Sequence, residues 1–350
     1  MRRNSQPDYS ALEKSMAACF LLCALFAILA PVDGYCDEPP RSQTVKIFDN
    51  APIHFNPEDP RGDRPETIEV LDNGRYINTA ITLPEYDEPV RILAHVTVKP
   101  VPKDEISVHD KWDRAGSIRL VQDNQPDIEV VKFITAYGGR TDWSVDVSHL
   151  APLLKGDCRF SAFIDTWISP AWHVDFSLEH IPDSSLAAIH WVKPLLMEDS
   201  FDRKTYLDTG LVVSAEVSGE HQRVLLYYLV SGHCTDGRGA DEFVKKDNVI
   251  SVDGTVVYRY QPWRDDCRRF RDINPYTRRW SDGYWSSDYS RSGWCPGDVV
   301  DPLVLDLTDH LTPGNHWMRF NIESIRPEDE DGNKGYWRVS AFLVGVTDRK

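Results

Sequence analysis

The feature that most constrains this chain is alternation of apolar and polar residues with a period of two, and the absence of any amphipathic helical stretch longer than about two turns. Trp172, Val174, Phe176 and Leu178 alternate with His173, Asp175, Ser177 and Glu179. Met318, Phe320 and Ile322 share one face, and so do Trp337, Val339, Ala341 and Leu343. In a strand successive side chains point to opposite sides, so these segments read as strands with one face in a core. Val224–Val230 is continuously apolar and reads as a strand buried on both faces. Asn73-Gly74 and Asp253-Gly254 are two-residue turn signals, because both positions must adopt positive φ. Short strands with turn signals every 8–12 residues suit antiparallel sandwiches. The expected class is all-β, and 350 residues allow two domains.

The break between them is expected near Ile181–Ser185, giving domains at 41–183 and 187–348. Residues 1–35 are expected to be an export signal. Arg2, Arg3 and Lys14 precede the apolar run Met16–Ala30, which is too short to cross a bilayer comfortably. A secreted or periplasmic location permits disulfides among Cys36, Cys158, Cys234, Cys267 and Cys295. The net charge of -16 would repel nucleic acid and anionic membrane surfaces, so neither is an expected partner.

Four constellations carry possible chemistry. Trp112-Asp113-Arg114 precedes a strand, and its Asp suits a general base whose charge the Arg holds, or a plain surface ion pair. In Phe163–Trp167 the alternation puts Asp165 and Trp167 on one face, opposite Phe160, Ala162 and Ile164. An acid beside an indole suits a sugar, and equally a solvated strand face. Ser231-Gly232-His233-Cys234 leads through a glycine-rich loop to Asp241-Glu242-Phe243, with Ala240 before them. The span from Tyr258 to Gly297, which contains Cys267 and Cys295, interleaves eight arginines with Trp and Tyr, which suits glycan binding or a stapled structural loop. No GxSxG, HExxH, P-loop or GxGxxG pattern occurs, and only Met197 and Met318 follow the leader, so a His/Met copper site is not expected.

These pieces, in this order, resemble the peptide-N-glycosidase F family. VKFITAYGG (131–139), WSVDVSHLAPLLKG (143–156), FIDTW (163–167) and YSRSGWCPGDVVDPLVLDLT (289–308) carry the likeness. It extends over most of 41–348 and is patchy before Lys111. The resemblance implies two adjacent eight-stranded jelly rolls with a site in the cleft between them, and neither cofactor nor metal. It implies an amidase that hydrolyses the β-aspartylglycosylamine bond, releases the intact N-glycan and turns Asn into Asp. Its partner would be an N-linked glycoprotein or glycopeptide, bound through the chitobiose core, and the enzyme a monomer. Asp113, Glu242 and Asp165 would be catalytic. Arg114, Trp112, Trp167, His233, Arg291 and Trp294 would bind substrate, with Arg114 keeping Asp113 ionised. Cys267 and Cys295 would form a disulfide, and the family's other two have no counterparts here. The family has Glu where this chain has Asp165, and one methylene fewer retracts the carboxylate by about 1.5 Å. The alternatives are a non-catalytic glycan-binding jelly roll, a copper monooxygenase of the same fold, and a glycosidase that leaves one sugar behind.

Overall fold

The computed structural model describes residues 42–207, 209–234 and 241–347. The expected leader, Cys36 and Ala240 lie outside the described residues. The first half of the chain supplies β1 (Gln43–Ile53), β2 (Glu69–Leu71), β3 (Tyr76–Leu83), β4 (Val90–Pro100), β5 (Ala115–Leu120), β6 (Ile128–Ile134), β7 (Thr141–Asp146), β8 (Gly156–Ile164) and β9 (Trp172–Pro182). They form two antiparallel sheets, ordered β1-β9-β4-β7 and β2-β3-β8-β5-β6. The second half supplies β10 (Ala188–Phe201), β11 (Leu211–Val217), β12 (Arg223–Cys234), β13 (Asn248–Val252), β14 (Thr255–Tyr260), β15 (Leu303–Asp306), β16 (Gly314–Ile322) and β17 (Gly335–Thr347). Their sheets run β10-β17-β12-β15 and β11-β16-β13-β14. Each half is a sandwich, as the alternation calls for, and the fold is the two-jelly-roll β architecture that the resemblance implies. Among the described residues the α-helix content is one turn, α1 (Arg203–Tyr206).

The period-two segments behave as their patterns dictate. In β9, Trp172, Val174, Phe176 and Leu178 are buried and the intervening residues are not. At the β13–β14 turn Asp253 and Gly254 have φ of 48° and 83°, and at Asn73 and Gly74 the values are 55° and 96°. Each large apolar side chain taken out of water contributes about 1.5–3 kcal/mol, and these two rows of core residues supply most of the cohesion.

One strand departs from expectation. β17 is buried on both faces, not one. Val339, Ala341 and Leu343 face their own core, whereas Phe342, Val344 and Val346 join the core of the first sandwich. β17 therefore packs at the junction between sandwiches. The junction is also laced by backbone. Segment 297–300 adds to the edge of β6, with Ile134 N donating to Asp298 O (3.0 Å), Val300 N to Lys132 O (2.8 Å) and Gly297 N to Ile134 O (3.1 Å). Behind this edge the buried Lys132 donates to Arg338 O at 2.9 Å and pairs with Glu129 at 3.4 Å, while Ser340 Oγ donates to Glu129 at 2.6 Å.

The long excursion between β14 and β15 is ordered by a Cys267–Cys295 disulfide, 28 residues apart in sequence. A backbone bridge between Arg264 and Arg291 lies beside it. Cys158 is a buried thiol outside any disulfide. We expect Cys267→Ser/Cys295→Ser to lower unfolding stability by roughly 3 kcal/mol, from the loop-closure entropy of a loop this long. Urea unfolding under non-reducing conditions checks it, and an unchanged midpoint would contradict it.

Candidate functional site

A cleft of about 670 Å³ is lined by residues of both sandwiches, including Trp112, Asp113, Arg114, Asp165, Trp167, His233, Glu242 and Trp294. Eight of the side chains singled out from sequence thus meet in one place. A ninth, Arg291, lies directly behind them, fully buried.

The Trp112–Arg114 turn precedes β5 and is held by a residue that the sequence reading passed over. Asp110 is completely buried. It accepts from Thr166 Oγ1 (2.6 Å), Trp172 Nε1 (3.2 Å) and Trp112 N (3.2 Å). Arg114 gives it a two-pronged pair, Nε at 2.9 Å and Nη2 at 3.2 Å. The guanidinium that was expected to serve Asp113 therefore serves Asp110 four residues earlier. That spacing, acid at i and Arg at i+4, was visible in the sequence; that Asp110 would be buried was not. Thr135 completes the turn, its hydroxyl accepting from Arg114 N (2.8 Å) and donating to Trp112 O (3.2 Å).

Glu242 is held from the other sandwich. Its neighbour Asp241 is fully buried and accepts from Trp337 Nε1 (3.1 Å) and Arg326 N (3.0 Å). A Cβ on Gly335 would sit 1.6 Å from Asp241 Oδ2, so only glycine permits this contact. Ser292 N donates to Glu242 O at 2.9 Å and Ser292 Oγ to Asp241 O at 2.6 Å, tying the acid to the segment that carries Arg291.

Arg291 joins the two acids. Its Nη2 lies 3.6 Å from Asp113 Oδ2 and its Nε donates to Glu242 Oε1 at 3.2 Å. The guanidinium also donates to Ser286 O (2.8 Å), Tyr289 O (3.0 Å) and Tyr137 Oη (3.2 Å), and it packs between the rings of Trp294 and Phe243 at 4.7 and 5.1 Å. Two carboxylates face one cation out of water, and such a site favours one negative charge over two. Desolvation raises Asp113 above the usual carboxylate range, against the pull of Arg291 and a hydrogen bond from Tyr137. Desolvation likewise pushes Glu242 up to about 7, with Asp113 adding to the rise and Arg291 opposing it. Cys234 Sγ donates to Glu242 Oε2 at 3.4 Å.

Asp165 and Trp167 line the cleft together with Phe163, while Phe160, Ala162 and Ile164 lie in the core, the grouping that alternation implied. β8 ends at Ile164, so Asp165 and Trp167 lie just beyond the strand. Both oxygens of Asp165 are taken, one by Arg75 Nη1 (3.1 Å) and the other by Arg338 Nη2 (2.8 Å). Arg338 also pairs with Asp199 (2.7 Å), which Arg119 holds at 2.6 Å. Arg75 then lies 4.3 Å over the Trp167 ring. Trp167 and Trp112, both lining the cleft, are 59% and 57% exposed. His233 is buried, stacked between Trp294 and Tyr336, with Nε2 2.8 Å from Ser231 Oγ. Burial, reinforced by Arg338, Lys132 and Arg291, holds it well below the usual imidazole range, so it is a neutral wedge in the wall.

The raised Glu242 has a consequence for stability. Its folded value of about 7 lies above the ordinary 4.5, so the folded chain holds this proton more tightly than the unfolded one. The stabilisation is fully present below the unfolded value and is lost as pH rises through the folded one. Glu242→Gln should abolish that loss, gaining on the order of 2 kcal/mol relative to wild type between pH 5 and 8. Parallel stability–pH curves for the two proteins, measured by urea unfolding, would refute it.

Two family models match the chain, "Peptide-N-glycosidase F, N terminal" over residues 118–180 and "Peptide-N-glycosidase F, C terminal" over residues 202–344. A search of curated proteins by sequence returns no match. Among solved structures, PNGF-II superposes with a TM-score of 0.78 at 23% identity, over 89% of this chain and 66% of that one. The present chain thus spans just under two thirds of PNGF-II. PNGase F, described as a glycosylasparaginase from Flavobacterium meningosepticum, superposes with a TM-score of 0.68 at 19% identity, over 89% of this chain and 97% of that one. At these identities the superpositions speak for the fold, and the paired family models speak for descent. The chain belongs to the peptide-N-glycosidase F family.

Proposed function

We propose that the cleft hydrolyses the amide bond between an N-linked glycan and its asparagine, releasing the intact glycan and leaving aspartate. The observation that carries this reading is Arg291, whose single buried cation faces Asp113 from one sandwich and Glu242 from the other. An amide is a poor electrophile with a poor leaving group, so its hydrolysis needs a base for water and an acid for nitrogen. A carboxylate pair that shares one proton near neutral pH supplies both. Asp113 acts as the base and takes the proton from water as its oxygen bonds to the amide carbon. Glu242 is the protonated member and gives its proton to the departing nitrogen. The products are an aspartyl peptide and a glycosylamine, which sheds ammonia in water. Arg114 orders the turn that presents Asp113, by way of Asp110. Trp167 stacks on the chitobiose core, and Trp112, at the other end of the cleft, contacts the substrate beside the scissile amide. Asp165 contributes through Arg75 and Arg338, which hold the Trp167 wall. The protein is proposed to act outside the cytoplasm as a monomer, with 41–183 and 187–348 as its domains. The disulfide accords with an oxidising compartment.

One observation favours a second reading. With both its oxygens committed to arginines, Asp165 has less capacity to contact a sugar than a free acid would, and a cleft that only binds glycan would tolerate this. Incubation with an N-glycosylated peptide separates the two. Hydrolysis removes the whole glycan and adds roughly one dalton to the peptide, as replacing an amide nitrogen by a protonated oxygen requires. Asp113→Asn should lower kcat/KM by about 10²–10⁴, the usual worth of a positioned acid or base. An untouched but bound glycopeptide would establish the binding module, and a peptide retaining one sugar would establish a glycosidase.

A further inference from the structure

Across Trp112 from the cleft lies a second groove of about 360 Å³, walled by Lys111, Tyr137, Tyr276, Arg278, Arg279 and Trp280. Trp112 lines both spaces, and Tyr137, whose hydroxyl accepts from Arg291, lines this groove. A molecule spanning the two would therefore cross Trp112, the chain neighbour of Asp113. The electrostatics of the two spaces differ. The main cleft sets five carboxylates against four cations. The groove has three full cations, a histidine and no acid among its lining residues. Arg278 and Arg279 are exposed, and Lys111 is half-buried, 4.7 Å over the Tyr276 ring. No carboxylate is within ion-pair reach of these three among the described residues, whereas most arginines in the cleft are matched. In a chain of net charge -16 an unmatched cationic groove of this kind is selective for anions. The aromatic walls suit an extended polypeptide whose side chains reach the arginines.

We propose that this groove is the subsite for the polypeptide side of the substrate, and that it selects acidic residues flanking the glycosylated asparagine. The inference rests on the amidase reading for its orientation. If the glycan takes the half of the cleft bounded by Trp167, the peptide must leave the scissile amide on the Trp112 side, into the groove. Solvent-exposed pairs are individually weak, so two or three such contacts amount to a roughly tenfold preference at low salt. That preference should fade above about 0.5 M salt, where the screening length falls below the span of the groove.

The test uses three glycopeptides with one neutral glycan and acidic, neutral or lysine flanks, together with the same peptides unglycosylated and fluorescently labelled. We expect kcat/KM to rank acidic above neutral above lysine, and anisotropy to show the same salt-sensitive order. Arg278→Glu/Arg279→Glu should invert both orders in favour of lysine flanks, a result that misfolding cannot produce. Equal rates for all three glycopeptides, or an order unmoved by the double variant, would overturn the subsite and leave the amidase reading standing. A preference that follows sialic acid on the glycan instead of the flanks would also overturn it. If no glycopeptide is cleaved, the amidase reading fails, and the anisotropy series still decides for or against acidic-peptide binding.

Discussion

The site depends on one buried guanidinium. Removing a charge from water costs several kcal/mol unless fixed partners replace the lost hydration. Arg291 meets that condition with three neutral oxygens, two carboxylates and two aromatic faces. The arrangement works only if both sandwiches are docked, because Asp113 comes from one and Glu242 from the other. Junction and site are in this sense the same structure. The edge of β6 is extended by the segment that follows Arg291, and the same segment carries the half-cystine Cys295.

The polar groups at the junction contribute geometry more than cohesion. A buried ion pair such as Lys132–Glu129 returns little more than its desolvation cost. The apolar rows of β9, β16 and β17 supply the stabilisation, and the second face of β17 extends it into the neighbouring core. What ion pairs and hydrogen bonds do add is direction. Arg338 links Asp165 to Asp199, Arg119 closes the chain, and Arg75 ends beneath Trp167. The shorter Asp165 side chain thus belongs to a network that sets the shape of one cleft wall.

Much of this was legible in the residues. The alternation in β9 and β16 and the two positive-φ turns determine strands, faces and reversals locally, since a side chain's orientation in a strand depends only on its parity. The candidate acids and tryptophans were legible too, through motif order. What failed to show was partnership. Arg114 stands next to Asp113 in the chain yet pairs with Asp110, while Arg291, 178 positions away by subtraction of the residue numbers, faces Asp113. Parity put Asp165 on the side of Phe163 and Trp167, but not between Arg75 and Arg338, which are distant in the chain.

The sequence by itself determined an all-β chain of sandwiches and the inventory of acids and aromatics, because these follow from short-range periodicity and residue chemistry, while the cystine was implied by the family resemblance. Only the tertiary structure decided which charges share a desolvated space. Ionisation depends on distance and burial, and both are set by the docking of β6, β17 and the segment around Arg291. Asp113 and Glu242 are ordinary carboxylates in the chain. Folding links their ionisation, because it removes the water from both, which raises them, and sets one cation beside both, which opposes the rise.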